Sequence, residues 1–180
     1  MKKLTLVIVA LFTLGAFTSN AQALKLGHVS SAVVLDSVAS YKAIVAEEQQ
    51  IYKDGQDQSQ AIQLQIQEMQ IKAQRMAEQD SLSDFEAYMI QGDMEKKQQD
   101  LYQLEQFSQQ KLQVLNERLM KLMEMYKEAV GVVGKKYELT YVLDKDSQVL
   151  YAAEGAKDIT EEVRAELLKM DNAKRVHTYP

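Results

Sequence analysis

The chain has 180 residues, of which 46% are apolar, and it contains seven Gly, one Pro, no Cys and no Trp. This length suits one domain with a hydrophobic core. The absence of Cys excludes a disulfide scaffold, thiol catalysis and cysteine-ligated metal sites. The formal net charge of −5 argues against a broad nucleic-acid-binding surface. Abundant Gln, Glu, Leu, Met and Ala predict a largely helical protein.

Residues 1–23 have the organisation of an export signal. Lys2-Lys3 precedes the apolar run Leu4–Phe17, and Ala21-Gln22-Ala23 fits the small-residue rule for signal peptidase. An N-terminal membrane anchor is the alternative, but the apolar run is shorter than the roughly 20 residues that a bilayer requires. We therefore expect cleavage after Ala23 and an exported mature chain. Loss of the two lysines would change its formal charge from −5 to −7.

Residues 24–39 predict the first part of a small head. The alternating segment Leu24–Val29 is typical of a short strand. Ser30 and Ser31 favour a brief helix over Ala32–Val38, because their hydroxyl groups can accept a free N–H at a helix start. Ser40 is a second candidate cap, placed where a much longer helical region begins.

Residues 40–134 predict an antiparallel α-helical hairpin, which we call the arm. The stretch has no Pro and is too long for one globular helix. Its apolar residues recur at alternating intervals of three and four, which is the spacing of a coiled coil, with Gln98 and Ser108 as polar seam positions near a local slip in phase. A compact helical bundle, the alternative, would need wider apolar faces. The predicted seam consists of Ile62, Ile66, Met69, Ala73 and Met76, followed by Ile90, Met94, Leu101, Leu104, Leu112, Leu115, Leu119, Leu122, Tyr126, Ala129 and Val133.

The predicted turn of the arm lies near residues 79–86. Ser83 followed three residues later by Glu86 is the signature of a capping box, in which each side chain satisfies a backbone N–H of the other residue. Leu82 can pack over the first turn of the second helix. Helices of about 40 and 50 residues would each extend roughly 60–75 Å.

Residues 135–171 are expected to complete the head. Glu138–Asp144 and Gln148–Ala152 are rich in β-forming residues, and the polar turn Lys145–Ser147 would join them as a strand hairpin. A last helix opens near Asp158–Glu162, and residues 172–180 are expected to be a frayed tail. The predicted fold class is therefore α+β, with a small β-sheet head and a long coiled-coil arm.

The sequence predicts no catalytic, cofactor-binding or metal site. His28 and His177 are the only histidines, and they form no zinc-binding motif. Asp144 and Asp146 lack the Gly and Glu that a calcium loop needs at its sixth and twelfth positions. We therefore expect that the protein is not an enzyme and that it uses no cofactor.

Charge is distributed unevenly between the head and the arm. Residues 54–110 contain eleven acidic and four basic side chains, a net charge of −7, and the other residues of the mature chain balance to zero. All of the net negative charge of the mature chain is therefore expected on the arm.

The whole mature chain resembles the Skp/OmpH family, the periplasmic chaperones of outer-membrane proteins in Gram-negative bacteria. The resemblance rests on the opening LKLGHV followed by SS, the Pro-free hairpin, and the segments ELTYVLD, QVLYAA and DITEEV. It implies a periplasmic homotrimer whose sheets form a body from which three arms hang like tentacles. It also implies that an unfolded β-barrel precursor is held between the arms without ATP. The best-known members have basic arms, so the acidic arm here argues against binding to lipopolysaccharide or a membrane surface.

Apolar residues near the arm end are the expected contacts for such a client. Met is flexible and suits promiscuous binding. The three consecutive residues Tyr88–Ile90 cover more than half of a helix circumference, so at least one must face outward. Met69 and Met76 are instead expected to pack in the seam. The expected client-binding residues are Leu82, Phe85, Tyr88, Met89, Ile90 and Met94, and the expected residues of the oligomeric head are Leu26, Val29, Leu139, Tyr141 and Leu143.

Two other functions remain open at this point. A structural coiled-coil spacer or adaptor of the cell envelope would use the same heptads, but it would present the arm to one specific partner. A periplasmic enzyme subunit is a third possibility, which the lack of a polar constellation disfavours. An aggregation assay with an unfolded outer-membrane protein separates a holdase from a spacer.

Overall fold

The computed structural model describes residues 24–80 and 82–178, so the expected export signal lies outside the described residues. The long helices and the small sheet agree with the α+β class expected from the sequence. In chain order, the elements are β1 (Leu26–Val29), α1 (Ser31–Asp36), α2 (Ala39–Glu78), α3 (Asp84–Lys136), β2 (Tyr141–Asp144), β3 (Lys157–Asp158) and α4 (Thr160–Thr178).

The sheet has three strands in the order β2-β1-β3, and β1 pairs in parallel with both neighbours. The predicted strand hairpin is therefore wrong. Residues 148–152 form no strand, and the third strand lies at Lys157–Asp158, beside β1 rather than β2. Alternation alone does not make a strand, because a strand also needs an edge to pair with and a core to cover. Among the described residues, segment 148–152 covers no core, and Leu150 is 104% exposed.

Gly27 in β1 lies in close contact with its neighbours at the centre of the sheet. A Cβ atom at this position would lie 2.5 Å from Cδ1 of Leu139 and 3.4 Å from the carbonyl oxygen of Lys157. Any side chain at position 27 would therefore displace Leu139, which packs against the core from the segment that leads into β2.

The core of the head forms where α4 packs against α1, α3 and β1. Its largest fully buried side chains are Val34, Val38, Ile159, Val163 and Leu167. The last three recur every four residues, so one face of α4 points into the core. This helix continues to Thr178, so the prediction of a tail from residue 172 is wrong.

The starts of α1 and α2 differ in how they are capped. Ser30 caps α1 as expected, because its Oγ accepts a hydrogen bond from the N–H of Val33 at 3.2 Å. Ser40 does not cap α2, since that helix already begins at Ala39. The Ser40 hydroxyl instead donates to Oδ1 of Asp171 at 2.5 Å, which connects α2 to α4.

Helices α2 and α3 contain 40 and 53 residues, so they extend about 60 Å and about 80 Å. Residues later in α2 contact residues earlier in α3. Arg118 Nη1 lies 2.6 Å from Oε2 of Glu47, and Gly55 faces Ser108. The residues of the predicted seam are all buried or half-buried.

One seam position differs from the prediction. Lys97 is half-buried, whereas Gln98 is exposed. Heptad spacing continues from Met94 through 97 to Leu101, and the slip in phase occurs later, at Ser108. Lys97 occupies its half-buried position with its Nζ 3.3 Å from Oδ2 of Asp100.

Candidate functional site

Helix α3 begins with the capping box that the sequence predicts. Asp80 has a φ of 49°, a left-handed conformation that helps the chain to turn. Ser83 Oγ accepts from the N–H of Glu86 at 3.3 Å, and the N–H of Ser83 donates to Oε2 of Glu86 at 3.1 Å. Hydrogen bonds from the Ser83 hydroxyl and N–H hold the pKa of Glu86 below its ordinary value. The first turn of α3 is thus fixed in orientation.

The six expected client-binding residues separate into two groups. Phe85 and Tyr88 are 71% and 74% exposed, and Met89 is 48% exposed. Their spacing of three and four places them on one face of α3. The other three residues, Leu82, Ile90 and Met94, are half-buried.

The geometric argument about Tyr88–Ile90 is confirmed, because two of these three residues face solvent. Met69 and Met76 are half-buried at seam positions, as expected. We call the exposed set of Phe85, Tyr88 and Met89 the arm-end patch.

A shallow depression of about 190 Å³ adjoins the arm-end patch. Tyr88, Met89 and Gly92 contribute its apolar part, and Asp93 and Glu95 contribute carboxylates. A Cβ atom at Gly92 would meet no atom within 4 Å, so the glycine leaves the surface open here. The arrangement offers apolar contact beside negative charge.

The expected residues of the oligomeric head also separate into two groups. Val29 is 2% exposed, and it belongs with Leu139 to the chain's own core. Leu26 and Tyr141 are 47% and 60% exposed and stand opposite each other in the register of β1 and β2, while Leu143 is half-buried. The exposed pair is available to a neighbouring molecule, whereas Val29 is not.

Sequence reasoning missed an exposed apolar segment that follows β2. Leu150 is fully exposed and Tyr151 is 83% exposed. Their assignment to a strand concealed this feature. The signal was a short apolar run, residues 149–153, of which residues 150–153 are exposed.

Two carboxylates at the end of β2, on Asp144 and Asp146, attach that strand to the start of α1. Ser31 Oγ donates to Oδ2 of Asp144 at 2.8 Å, and the N–H of Ala32 donates to Oδ2 of Asp146 at 2.8 Å. Burial alone would raise the pKa of Asp144, but hydrogen bonds from the Ser31 hydroxyl and neighbouring donors outweigh it, so the pKa lies below its ordinary value. Burial, followed by the nearby carboxylates of Asp144 and Asp146, raises the pKa of Tyr126 to about 12.

A second polar cluster joins β1 to the start of α4. His28 Nε2 lies 3.3 Å from Oδ2 of Asp158, and the hydroxyl and N–H of Thr160 donate to Oδ1 of the same carboxylate. Among residues 24–80 and 82–178, no three His, Asp or Glu side chains are grouped closely enough to hold a metal ion. Through these hydrogen bonds and the ion pair, the carboxylates connect elements of the head.

No helix in the described part of the chain is long and apolar enough to cross a membrane. Helices α2 and α3 have the required length, but charged and amide side chains recur along both.

Comparisons with known proteins agree with this architecture. Residues 25–167 match the family described as outer membrane protein (OmpH-like). A crystal structure of a candidate outer membrane chaperone (OmpH-like) from Caulobacter crescentus superimposes with a TM-score of 0.60 at 15% identity, covering 81% of this chain and 84% of that one. No curated protein matches the sequence. Because the family match covers most of the described residues, the chain belongs to the OmpH-like family.

Proposed function

We propose that the protein is an ATP-independent periplasmic holdase chaperone that holds unfolded outer-membrane proteins between helical arms and prevents their aggregation. The observation that carries this proposal is the arm-end patch, where Phe85 and Tyr88 are 71% and 74% exposed at the far end of α2 and α3. Membership of the OmpH-like family supports a chaperone role, as does the name of the Caulobacter neighbour.

Capture by apolar contact needs no nucleotide. Each well-buried apolar side chain contributes roughly 1.5–3 kcal/mol, so a few contacts hold a non-native chain and still release it. Met89 suits varied partners because its thioether side chain is flexible and polarizable.

The charge of the arm determines which clients approach quickly. Residues 54–110 have eleven acidic and four basic side chains. Repulsion therefore slows encounter with acidic clients, and attraction speeds encounter with basic ones. Salt screens both effects, since the Debye length falls from about 10 Å at 0.1 M to about 3 Å at 1 M. Affinity for an acidic client should hold steady or rise with salt, and lipopolysaccharide is not an expected ligand.

The proposal includes export with cleavage after Ala23, antiparallel arms and a homotrimer joined through the head. No strand in the described part of the chain pairs with the outer edge of β2, and Leu26 and Tyr141 are exposed near it. Leu150 and Tyr151 add a further exposed apolar segment. Such an edge is a ready site for association with another copy. Sedimentation equilibrium tests this part: Tyr141→Asp should dissociate the trimer, and a monomeric parent at micromolar concentration would contradict it.

The holdase itself is tested by light scattering of a diluted, urea-unfolded outer-membrane β-barrel. The parent protein should suppress aggregation. The triple variant Phe85→Ser, Tyr88→Ser and Met89→Ser should lose most of this effect while keeping its oligomeric state. Ile90 is left intact because it is half-buried and its removal would disturb the seam.

A matched control removes three exposed apolar residues elsewhere on the helices, namely Leu64, Ile71 and Met120. Replacement of these residues by Ser should leave most of the suppression intact. A parent protein that fails to suppress aggregation would refute the holdase function and favour a structural spacer. Equal losses in both triple variants would refute the special role of the arm-end patch.

A further inference from the structure

A hollow opens between α2 and α3 about midway along the pair. Its volume is about 670 Å³, and three of its lining residues, Gly55, Ser59 and Ser108, occupy seam positions where a coiled coil normally has large apolar side chains. Tyr52 and Tyr102 also line it, and they are 59% and 62% exposed.

The phase of the seam changes at this level in both helices. The inward positions run 51, 55 and 59 in α2 and 104, 108 and 112 in α3, so each helix has two successive intervals of four. Such an interruption of the heptad locally unwinds a coiled coil. Gly55 and Ser108, the middle positions of the two runs, face each other. The change of phase and the small residues in both helices therefore explain why the hollow opens at this level.

The glycine is not required by close packing. A Cβ atom at Gly55 would lie 3.5 Å from Oγ of Ser108, which is ordinary van der Waals contact, so alanine fits. Glycine within a helix is less stable than alanine. The chain thus keeps the hollow open although a more stable residue would fit.

The hollow continues toward the head. A second depression of about 480 Å³ shares Tyr52, Gln109 and Leu112 with the first. Together, the two extend along α2 from Ile44 to Gln63. At 1.5 Å per residue, this is a groove about 28 Å long, which matches about eight residues of an extended chain. We call it the seam groove.

The chemistry of the rim distinguishes possible occupants. Amide side chains of Gln56, Gln63, Gln109, Gln113 and Asn116 line the seam groove, together with carboxylates of Glu48 and Glu105. None of its lining residues in the described chain is cationic. The hollow on the opposite side of the pair, by contrast, includes Lys111 and Arg118.

This rim suits a polypeptide better than a lipid. Side-chain amides donate to and accept from backbone peptide groups. An anionic head group would meet two carboxylates and no cation. The apolar floor of Ile51, Leu101 and Leu112 would receive alternate side chains of an extended segment, since these point to one side.

We propose that the seam groove binds an extended, neutral or cationic stretch of about eight residues in a partner polypeptide, with apolar side chains at alternate positions. The inference rests on the proposed function in one respect, namely that the partner is a non-native polypeptide. It places a second binding site midway along the arm, separate from the arm-end patch.

The test uses a blocked eight-residue peptide with one Trp and three Leu at alternate positions and Thr or Lys between them. Because the protein has no Trp, a blue shift of Trp fluorescence reports binding of the peptide alone. Ser108→Leu fills the hollow and should weaken binding at least tenfold while the melting temperature holds or rises. Gly55→Ala should weaken binding of the peptide less than Ser108→Leu does, and it should raise the melting temperature. A version of the peptide with Glu in place of Lys should bind less tightly.

Two controls match these changes outside the groove. Gly131→Ala replaces another helical glycine, and Gln106→Leu adds a leucine at an exposed position two residues from the seam positions 104 and 108. Both should bind the peptide as the parent does. The proposal is overturned if Ser108→Leu and Gly55→Ala bind with unchanged affinity, if the controls lose affinity equally, or if dodecanoate binds while the peptide does not.

The aggregation assay separates this inference from the proposed function. If the parent suppresses aggregation and Ser108→Leu leaves the affinity for the peptide unchanged, the groove proposal fails and the holdase stands. If the peptide binds in the predicted pattern and the parent suppresses nothing, the holdase fails and the groove remains a peptide site.

Discussion

The head and the helix pair beyond it differ in how their side chains are buried. Val34, Val38, Ile159, Val163 and Leu167 are fully buried in the head, whereas no described residue from 52 to 114 is buried. Over that stretch, the seam is only half-buried. Distant parts of the chain stabilise the head by packing together, so its stability depends on tertiary contacts.

The helix pair depends more on interactions that are local in sequence. Amide side chains bond to residues four positions away, as in Gln50 to Asp54 at 2.6 Å and Gln91 to Glu95 at 3.0 Å. Such pairs contribute about 0.2–0.5 kcal/mol each. A structure built in this way can expose apolar groups at its far end and remain folded.

The largest expected effect comes from a cavity in the head. Leu167→Ala should lower the free energy of unfolding by about 2–5 kcal/mol, because Leu167 is completely buried. Ile66→Ala, at a half-buried seam position, should cost less than half as much. Urea unfolding followed by circular dichroism measures both values. Equal losses would refute the contrast between the two regions.

Acid should weaken the head in a specific pH range. The folded-state pKa values of Asp144 and Asp158 lie below their ordinary values: burial opposes this shift, and hydrogen bonds, chiefly those from the Ser31 and Thr160 hydroxyls, outweigh it. Their stabilisation is therefore complete above about pH 5 and is lost as pH falls below about 4 through the folded-state values.

Asp144→Asn should lower stability at pH 7 by about 1–2 kcal/mol, since the amide accepts fewer hydrogen bonds than the carboxylate. The same variant should lose less stability than the parent between pH 5 and pH 3. Urea midpoints measured at these pH values test the prediction, and parallel pH profiles for the two proteins would contradict it.

Removal of the cap at the arm end should have a smaller and local effect. Ser83→Ala should destabilise the first turn of α3 by about 1 kcal/mol, because the N–H of Glu86 loses its acceptor. Hydrogen exchange should accelerate at residues 84–90 and stay unchanged in α4. Faster exchange throughout the molecule would show that the two regions unfold as one.

The smallest effect is expected from Gly92→Ala. Nothing lies within 4 Å of the added Cβ, so the change should stabilise α3 by about 0.5–1 kcal/mol through helix propensity alone. Thermal melting measures the gain. A loss of stability would show that another molecule packs against this surface.

The seam and the capping box were predictable because their signals are local and repeated. Heptad spacing places Ile66 or Leu122 inward whatever the partner, and Ser83 with Glu86 lie within one helical turn. The circumference of a helix was enough to predict that at least one of the residues Tyr88–Ile90 faces outward.

The sheet could not be predicted in the same way. The composition of residues 148–152 resembles that of a strand, but only the folded chain shows that Lys157–Asp158, and not this segment, supplies the third strand, beside β1. The seam groove was also missed. The two small residues that cause it, Gly55 and Ser108, are 53 positions apart in the sequence. Only the packed helices show that these two residues face each other.

The position of β1 has a consequence for the order of folding. This first strand lies between two strands that follow it much later, and Leu26 pairs with Tyr141. The head therefore cannot close until more than a hundred further residues are available. Because α2 and α3 pack mainly on each other, their association before the sheet forms would bring the start of α2 close to the last turns of α3. The helix pair thus lowers the entropic cost of closing a very long loop, and a destabilised pair would delay assembly of the head.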